Sequence, residues 1–267
     1  MSKAFISGLV VGLALLAVVG VGASKLRQRN AEHERQRVEL AEYQAELADA
    51  TPAEAGVLSA NQRIHSNLYT DYKKRNSNAT VDELLDFARS STKIVKLDFY
   101  VGLGFLMEAE KPESFFGELA RSSDAIVRGR VTNKVSQLTE DDGFVFTDYD
   151  VAITEVVKDN VSAPLGASIT VTYPGGKVLL DDIIVKCRDH YFEPLPLNRE
   201  VVLFLQSVNE TGAYKPTRYF GSFELDGAVF RALSEQELPP GVLRGESFLQ
   251  TVRAGVPTRE LRNSLTE

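Results

Sequence analysis

The stretch from Leu119 to Val178 constrains the fold of this chain more than any other. It opens on a short helical segment and runs through SSDAIVRGRV, FTDYDVAITEVVKD and ASITVTY to the turn Pro174-Gly175-Gly176. Each apolar run is of strand length, rich in Val, Ile, Tyr and Phe, and bounded by turn residues, which specifies a β-meander and not a set of helices. Within DYDVAITEVV, Tyr149, Val151 and Ile153 alternate with Asp148, Asp150 and Thr154. One face of that strand is therefore apolar and the other polar.

Further strands are expected on either side of this seed. The reading places them near 125–135, 144–157, 168–173, 177–186, 200–208, 214–223 and 228–230, separated by acidic or Gly-containing turns such as EDDG, PGG, NETG and LDG. Short strands at this spacing indicate a closed or nearly closed barrel, or a sandwich. Helices flank them. Residues 24–50 are Ala- and Glu-rich without an internal Pro and give a long solvated stalk, since the apolar spacing of Leu40, Tyr43 and Leu47 is too brief for a coiled coil. Val57, Ala60, Ile64, Leu68 and Tyr72 share one face of a second helix. Thr80 and Glu83 form a capping box for a third. The segment 94–107 reads as a buried helix, with a β-hairpin as the alternative because Gly102 and Gly104 weaken a helix. Short helices are expected in SFFGELARS, in GESFLQTVRAG and in TRELRNSL.

At the N-terminus, residues 4–23 carry no charge. At ~1.5 Å of rise per residue such a run has the thickness of a bilayer core, so a retained membrane anchor is expected. A secretory signal peptide is the competing reading, with Lys3 as a minimal basic start and Val21-Gly22-Ala23 as a small-residue cleavage site. Ala4, Gly8 and Gly12 form a small-residue stripe through which two such helices would dimerise. Lys25, Arg27, Arg29, Arg35 and Arg37 after the run favour a cytoplasmic C-terminal part by the positive-inside rule, although long domains are exported against modest bias.

Composition narrows the function. An apolar fraction of 43% excludes a disordered chain. The lone Cys187 excludes an internal disulfide framework and a Cys-based zinc cluster. Lys and Arg number 14 against 14 Asp and Glu in residues 1–112, but 16 against 23 in residues 113–267, so the net charge of -7 belongs to the C-terminal part. Nucleic acid is disfavoured as a partner there, because its binding rests on clustered basic residues that neutralise phosphates.

Several elements recur in order: Ser123-Asp124-Ala125-Ile126-Val127 with Gly129 and Val131, Thr147 to Lys158, Ile169-Thr170-Val171, Pro174-Gly175-Gly176, Asn198 to Leu205, and Phe220-Gly221-Ser222-Phe223. Over residues 114–230 the chain resembles a group of uncharacterised bacterial domains, mostly exported, with this helix, strand and turn pattern. The resemblance implies a small OB-like or TIMP-like β-barrel and an extracytoplasmic setting. It implies no established activity. The chain departs from the group in KVLLDDIIVKCRDHYFEPLPLN, where relatives are Gly-rich, and in its long N-terminal region.

Candidate chemistry is confined to that departing segment. Asp181, Asp182, Asp189, His190 and Glu193 cluster in sequence, and Asp189, His190 and Glu193 are the candidates for a metal site or a shared proton. Against this, the flanks predict a strand edge and a loop, Pro194 and Pro196 break any helix, and His33 and His65 fall in the stalk region. A catalytic zinc site takes three protein ligands, so the bland expectation is that His190 is an exposed loop residue. No Ser nucleophile elbow is present. Pro174-Gly175-Gly176 joins strands and lacks the following helix of a phosphate loop, so no cofactor is expected. Tyr191, Phe192, Tyr214, Tyr219 and Phe220 have the composition of a base-stacking surface, but with this charge balance core and hairpin packing is the expectation.

The expected architecture is α+β: a transmembrane helix at 1–23, a helical stalk and subdomain at 24–112, an antiparallel OB-like β-barrel at 113–233 and a helical tail at 234–267. The expected function is a membrane-tethered, non-enzymatic binding protein of the cell envelope with a protein or envelope-component partner. The alternative is a metal-dependent hydrolase using Asp189, His190 and Glu193.

Overall fold

The computed structural model describes residues 31–52, 58–75, 94–99, 112–161, 164–227, 229–234 and 245–255. The chain divides into two units, Met1–Asp49 and Ala50–Glu267. In the first, helix α1 spans residues 31–49. It is dense in good helix formers and carries charge all along its length, with Arg37 and Glu34 paired at 4.0 Å on an exposed face.

In the second unit the elements follow in the order β1 (Thr51–Pro52), α2 (Ala60–Arg75), β2 (Ile94–Phe99), α3 (Pro112–Ser122), β3 (Ala125–Leu138), β4 (Val145–Asp159), β5 (Ser168–Pro174), β6 (Gly176–Leu180), β7 (Ile183–Asp189), β8 (Glu200–Ser207), β9 (Tyr214–Pro216), β10 (Ser222–Asp226), β11 (Val229–Ala232) and α4 (Gly245–Gly255). The larger sheet has the order β11-β10-β8-β3-β4-β5-β9, and β9 pairs back onto β8. Five strands, β8-β3-β4-β5-β9, thus close into a ring. Closure requires the two long strands to bend. Three register shifts between β3 and β4, one beside Gly129, provide it. Gly129 is required there, since a Cβ would lie 2.6 Å from the Ala152 carbonyl oxygen. The last junction, Val171 with Tyr214, is parallel.

Inside the ring lie Val127, Val131, Tyr149, Val151, Val171, Tyr173, Val201, Leu203, Leu205 and Tyr214. These are the inward positions of alternating strands, as the period-2 pattern dictates. A second apolar layer covers the outer face of β8 and β10. There α3 and α4 bring Phe115, Phe116, Leu119, Phe248 and Val252 onto Ile126, Phe204, Phe223 and Phe230. Lys158 joins α3 to the ring: its buried ammonium donates to the carbonyls of Ala120 (2.6 Å) and Ser123 (2.5 Å) at the helix C-terminus. A third cluster packs α2 against the start of β4 and the β6–β7 hairpin through Tyr69, Phe144, Phe146, Val178, Val185 and Cys187.

That hairpin is the centre of a smaller sheet of order β1-β6-β7-β2, in which β1 pairs with β6 and β2 with β7, both in parallel. Segments far upstream therefore cover both hairpin edges.

Several expectations need correction. Among the described residues no helix is long and apolar enough to cross a membrane. The expected architecture of a transmembrane helix and helical stalk and subdomain ahead of an antiparallel OB-like β-barrel is overturned by the strands β1 and β2 upstream of residue 112 and by the parallel junctions in both sheets. The run 4–23 itself, with Ala4, Gly8 and Gly12, lies outside the described residues, as do the helices expected after Thr80 and in TRELRNSL. The region read as a helical subdomain contributes two strands. Residues 94–99, read as helix, form β2, because β-branched Ile94 and Val95 and alternating Lys96 and Asp98 suit an edge strand beside β7. The observed molecule is of mixed α/β content around large β-sheets with parallel and antiparallel junctions. The strand expected at 177–186 is a hairpin turning on Asp181 and Asp182, both at positive φ (45° and 63°). The one expected at 214–223 is two strands split by the tight turn Arg218–Gly221, closed by the Gly221 N–H on the Arg218 carbonyl at 2.9 Å.

Candidate functional site

The segment joining β7 to β8 is fixed at both ends and in its middle. Asp189 Oδ1 accepts the backbone N–H of Tyr191 at 2.9 Å, an Asx turn that sends the chain away from the sheet. Phe192 then packs edge-on to Tyr173 at 5.7 Å in the mouth of the ring, and Leu195 is buried in the ring core. The Glu193 N–H reaches the Leu233 carbonyl at 3.3 Å, and the Asn198 N–H reaches that of Val131 at 2.8 Å. With Phe192 and Leu195 turned inward, Tyr191 is left half-buried on the surface.

A second loop, between β9 and β10, meets it. Phe220 is buried against Phe115 at 4.9 Å, which turns Tyr219 outward. Tyr191 and Tyr219 then face each other with ring centroids 5.2 Å apart and planes at 48°. His190 lies edge-on to Tyr191 at 5.8 Å, and Tyr219 edge-on to Phe220 at 4.7 Å. The result is a shelf of three half-buried rings, His190, Tyr191 and Tyr219, on a buried aromatic base. Burial pushes the Tyr219 phenol up and the neighbouring Tyr191 adds to it, against a smaller opposing effect of Arg218. The Arg218 guanidinium lies 5.9 Å from the Phe220 ring centre and pairs with Glu118 at 3.1 Å.

The three residues nominated for metal or proton chemistry are sent in different directions. Asp189 is 1% exposed and serves the loop turn, and its charge reaches Tyr69 on α2. His190 sits on the shelf. Glu193 pairs with Arg231 at 2.7 Å. Arg231 also holds Glu224, which is shared with Arg199, which in turn reaches Asp226. Asp181 and Asp182 form the β6–β7 turn. Among the described residues no group of three or more His, Cys, Asp or Glu has a geometry that could hold a metal. Of the five aromatics considered as one surface, Tyr214 and Phe220 are core, Phe192 packs on the core, and Tyr191 and Tyr219 form the shelf.

One polar pair was not anticipated. His65 on α2 is 2% exposed, and its Nδ1 lies 3.0 Å from both carboxylate oxygens of Asp148 on β4. An ionised carboxylate only accepts, so Nδ1 carries the proton. Nε2 is buried without a hydrogen-bond partner among the described residues. The pair follows from two periodicities: His65 and Tyr69 are one helical turn apart, and Asp148 and Phe146 are two residues apart on one strand face. Tyr69 stacks on Phe146 at 5.8 Å, which sets His65 over Asp148. Burial, and then the charges of Asp148 and Asp189 against a lowering contact with Thr172, push the Tyr69 phenol above its ordinary range. The apolar stripe through Ile64 and Leu68 lies one residue away from the face that is buried, His65, Ser66 and Tyr69, so helical periodicity does not reveal the pair.

No protein-family model and no curated protein sequence matches the chain.

Proposed function

We propose that this chain is a binding module whose contact surface for a partner protein is the shelf of His190, Tyr191 and Tyr219. The observation that carries the reading is the placement of two tyrosine rings, 5.2 Å apart and half-buried, on loops held by buried anchors. Tyrosines presented in this way offer large, rigid contact area at low entropic cost, which is why they recur as interface anchors. Loops on a rigid ring are also where a fold of this kind places recognition. The hydrolase alternative loses its support, because Asp189 and Glu193 are engaged in the loop turn and the Arg231 pair.

The test is site-specific photocrosslinking in the cell of origin. A benzophenone amino acid at Pro194, an exposed position beside the shelf, is expected to give a discrete protein adduct. That adduct should vanish in the Tyr191→Ala/Tyr219→Ala variant while its thermal unfolding stays cooperative. An adduct that persists unchanged in the double variant sinks the reading.

A further inference from the structure

We infer that the shelf takes a cationic side chain, an arginine or lysine carried on an extended segment of the partner. This rests on the binding-module reading above and adds the chemistry of what is bound.

The first support is ring geometry. Tyr191 and Tyr219, at 5.2 Å and 48°, form a shallow open V, and His190 flanks Tyr191 at 79°. A guanidinium or ammonium laid on that V stands within ~6 Å of both ring centres, the range in which the ring quadrupole attracts a cation. A flat guanidinium also stacks on either face.

The second support is charge. Beside the shelf, Glu193 and Glu118 are each paired with an arginine, Arg231 and Arg218. Arg199 and Arg231 are each shared between two carboxylates, and Arg218 is held by Glu118. Local charge is thus balanced in pairs, and the bias comes from longer range. At longer range the whole part from residue 113 onward, with 16 basic against 23 acidic residues, draws basic segments and repels acidic ones.

The experiment uses the full chain and three labelled peptides of equal length, one bearing Arg and Lys, one uncharged and proline-rich, and one bearing Glu, followed by fluorescence anisotropy. The basic peptide is expected to bind best. Tyr191→Leu and Tyr219→Leu, which keep apolar area and remove the ring, should each weaken it about three- to thirtyfold. Tyr219→Phe, which keeps the ring, should hold affinity close to wild type. Basic-peptide binding that both Leu variants leave untouched overturns the inference, because it would then be charge attraction alone. Ring-dependent binding of the proline-rich or acidic peptide in preference to the basic one also overturns it, while leaving the shelf as a binding surface. Absence of ring-dependent binding by all three peptides, together with an unchanged Pro194 crosslink in the double alanine variant, removes both readings.

Discussion

At the scale of single residues, the His65–Asp148 pair shows how a helix foreign to the ring is registered on it. The hydrogen bonds to Asp148 specify one rotational setting of α2, and the cost is a buried Nε2 without a partner. Removing one member leaves the other desolvated, so Asp148→Ala should lower stability by about 2–3 kcal/mol in urea unfolding. Replacing both, as His65→Leu/Asp148→Leu, should recover most of that loss, because an apolar contact of similar volume carries no desolvation cost. Strictly additive single and double variants would show that the two side chains are not coupled. This pair was illegible in the sequence for a physical reason. Its partners are eighty-three residues apart, and a lone histidine on a polar helix gives no periodic signal. The inward alternation of Tyr149 and Val151, by contrast, was read directly, because burial on one face imposes period 2.

At the scale of elements, helices α3 and α4 are held by aromatic side chains. Phe248 is fully buried and touches three rings, Phe230 at 4.7 Å, Phe223 at 5.0 Å and Phe116 at 5.3 Å. Phe248→Ala should therefore cost about 3–5 kcal/mol, whereas Val229→Ala, at an exposed position of β11, should stay within about 0.5 kcal/mol. Urea midpoints of the two variants check the contrast. Both helices were legible in the sequence, and so were the long strands β3, β4, β5 and β8. The β6–β7 hairpin was not, since its turn contains neither Gly nor Asn and instead forces two aspartates to positive φ. The shelf was half legible: its tyrosines were recognised, but which aromatics point outward depends on the anchors Phe192, Leu195 and Phe220, and those are known only once the ring exists to receive them.

At the scale of the whole molecule, the ion-pair chain through Glu193, Arg231, Glu224, Arg199 and Asp226 ties the β7–β8 segment to the sheet edge at β10 and β11. Burial alone would raise the Glu224 carboxyl, but hydrogen bonds from Arg199 and Arg231, and their charges, outweigh it and hold the group below the ordinary carboxylate range. A carboxyl depressed in the folded state contributes stability that is present above its unfolded value, about pH 4.3, and is lost as the pH falls through the folded one. Thermal unfolding from pH 7 downward should show a decline below that point for the wild type. Glu224→Gln should be less stable at neutral pH and show a flatter acid limb. An acid limb unchanged by the substitution would remove Glu224 from the account.

The parallel pairing of β1 with β6 and of β2 with β7 has a consequence in time. Synthesis runs from the N-terminus, so Ile94–Phe99 leaves the ribosome well before Ile183–Asp189, the only strand it pairs with among the described residues. At about 5–20 residues per second the intervening chain takes on the order of 5–20 s to appear. For that interval a strand-forming segment waits without its ladder, longer than most hairpins take to form by orders of magnitude. The earliest part of this unit to be made is thus among the last to be folded, and the demand for protection of the nascent chain falls on its beginning.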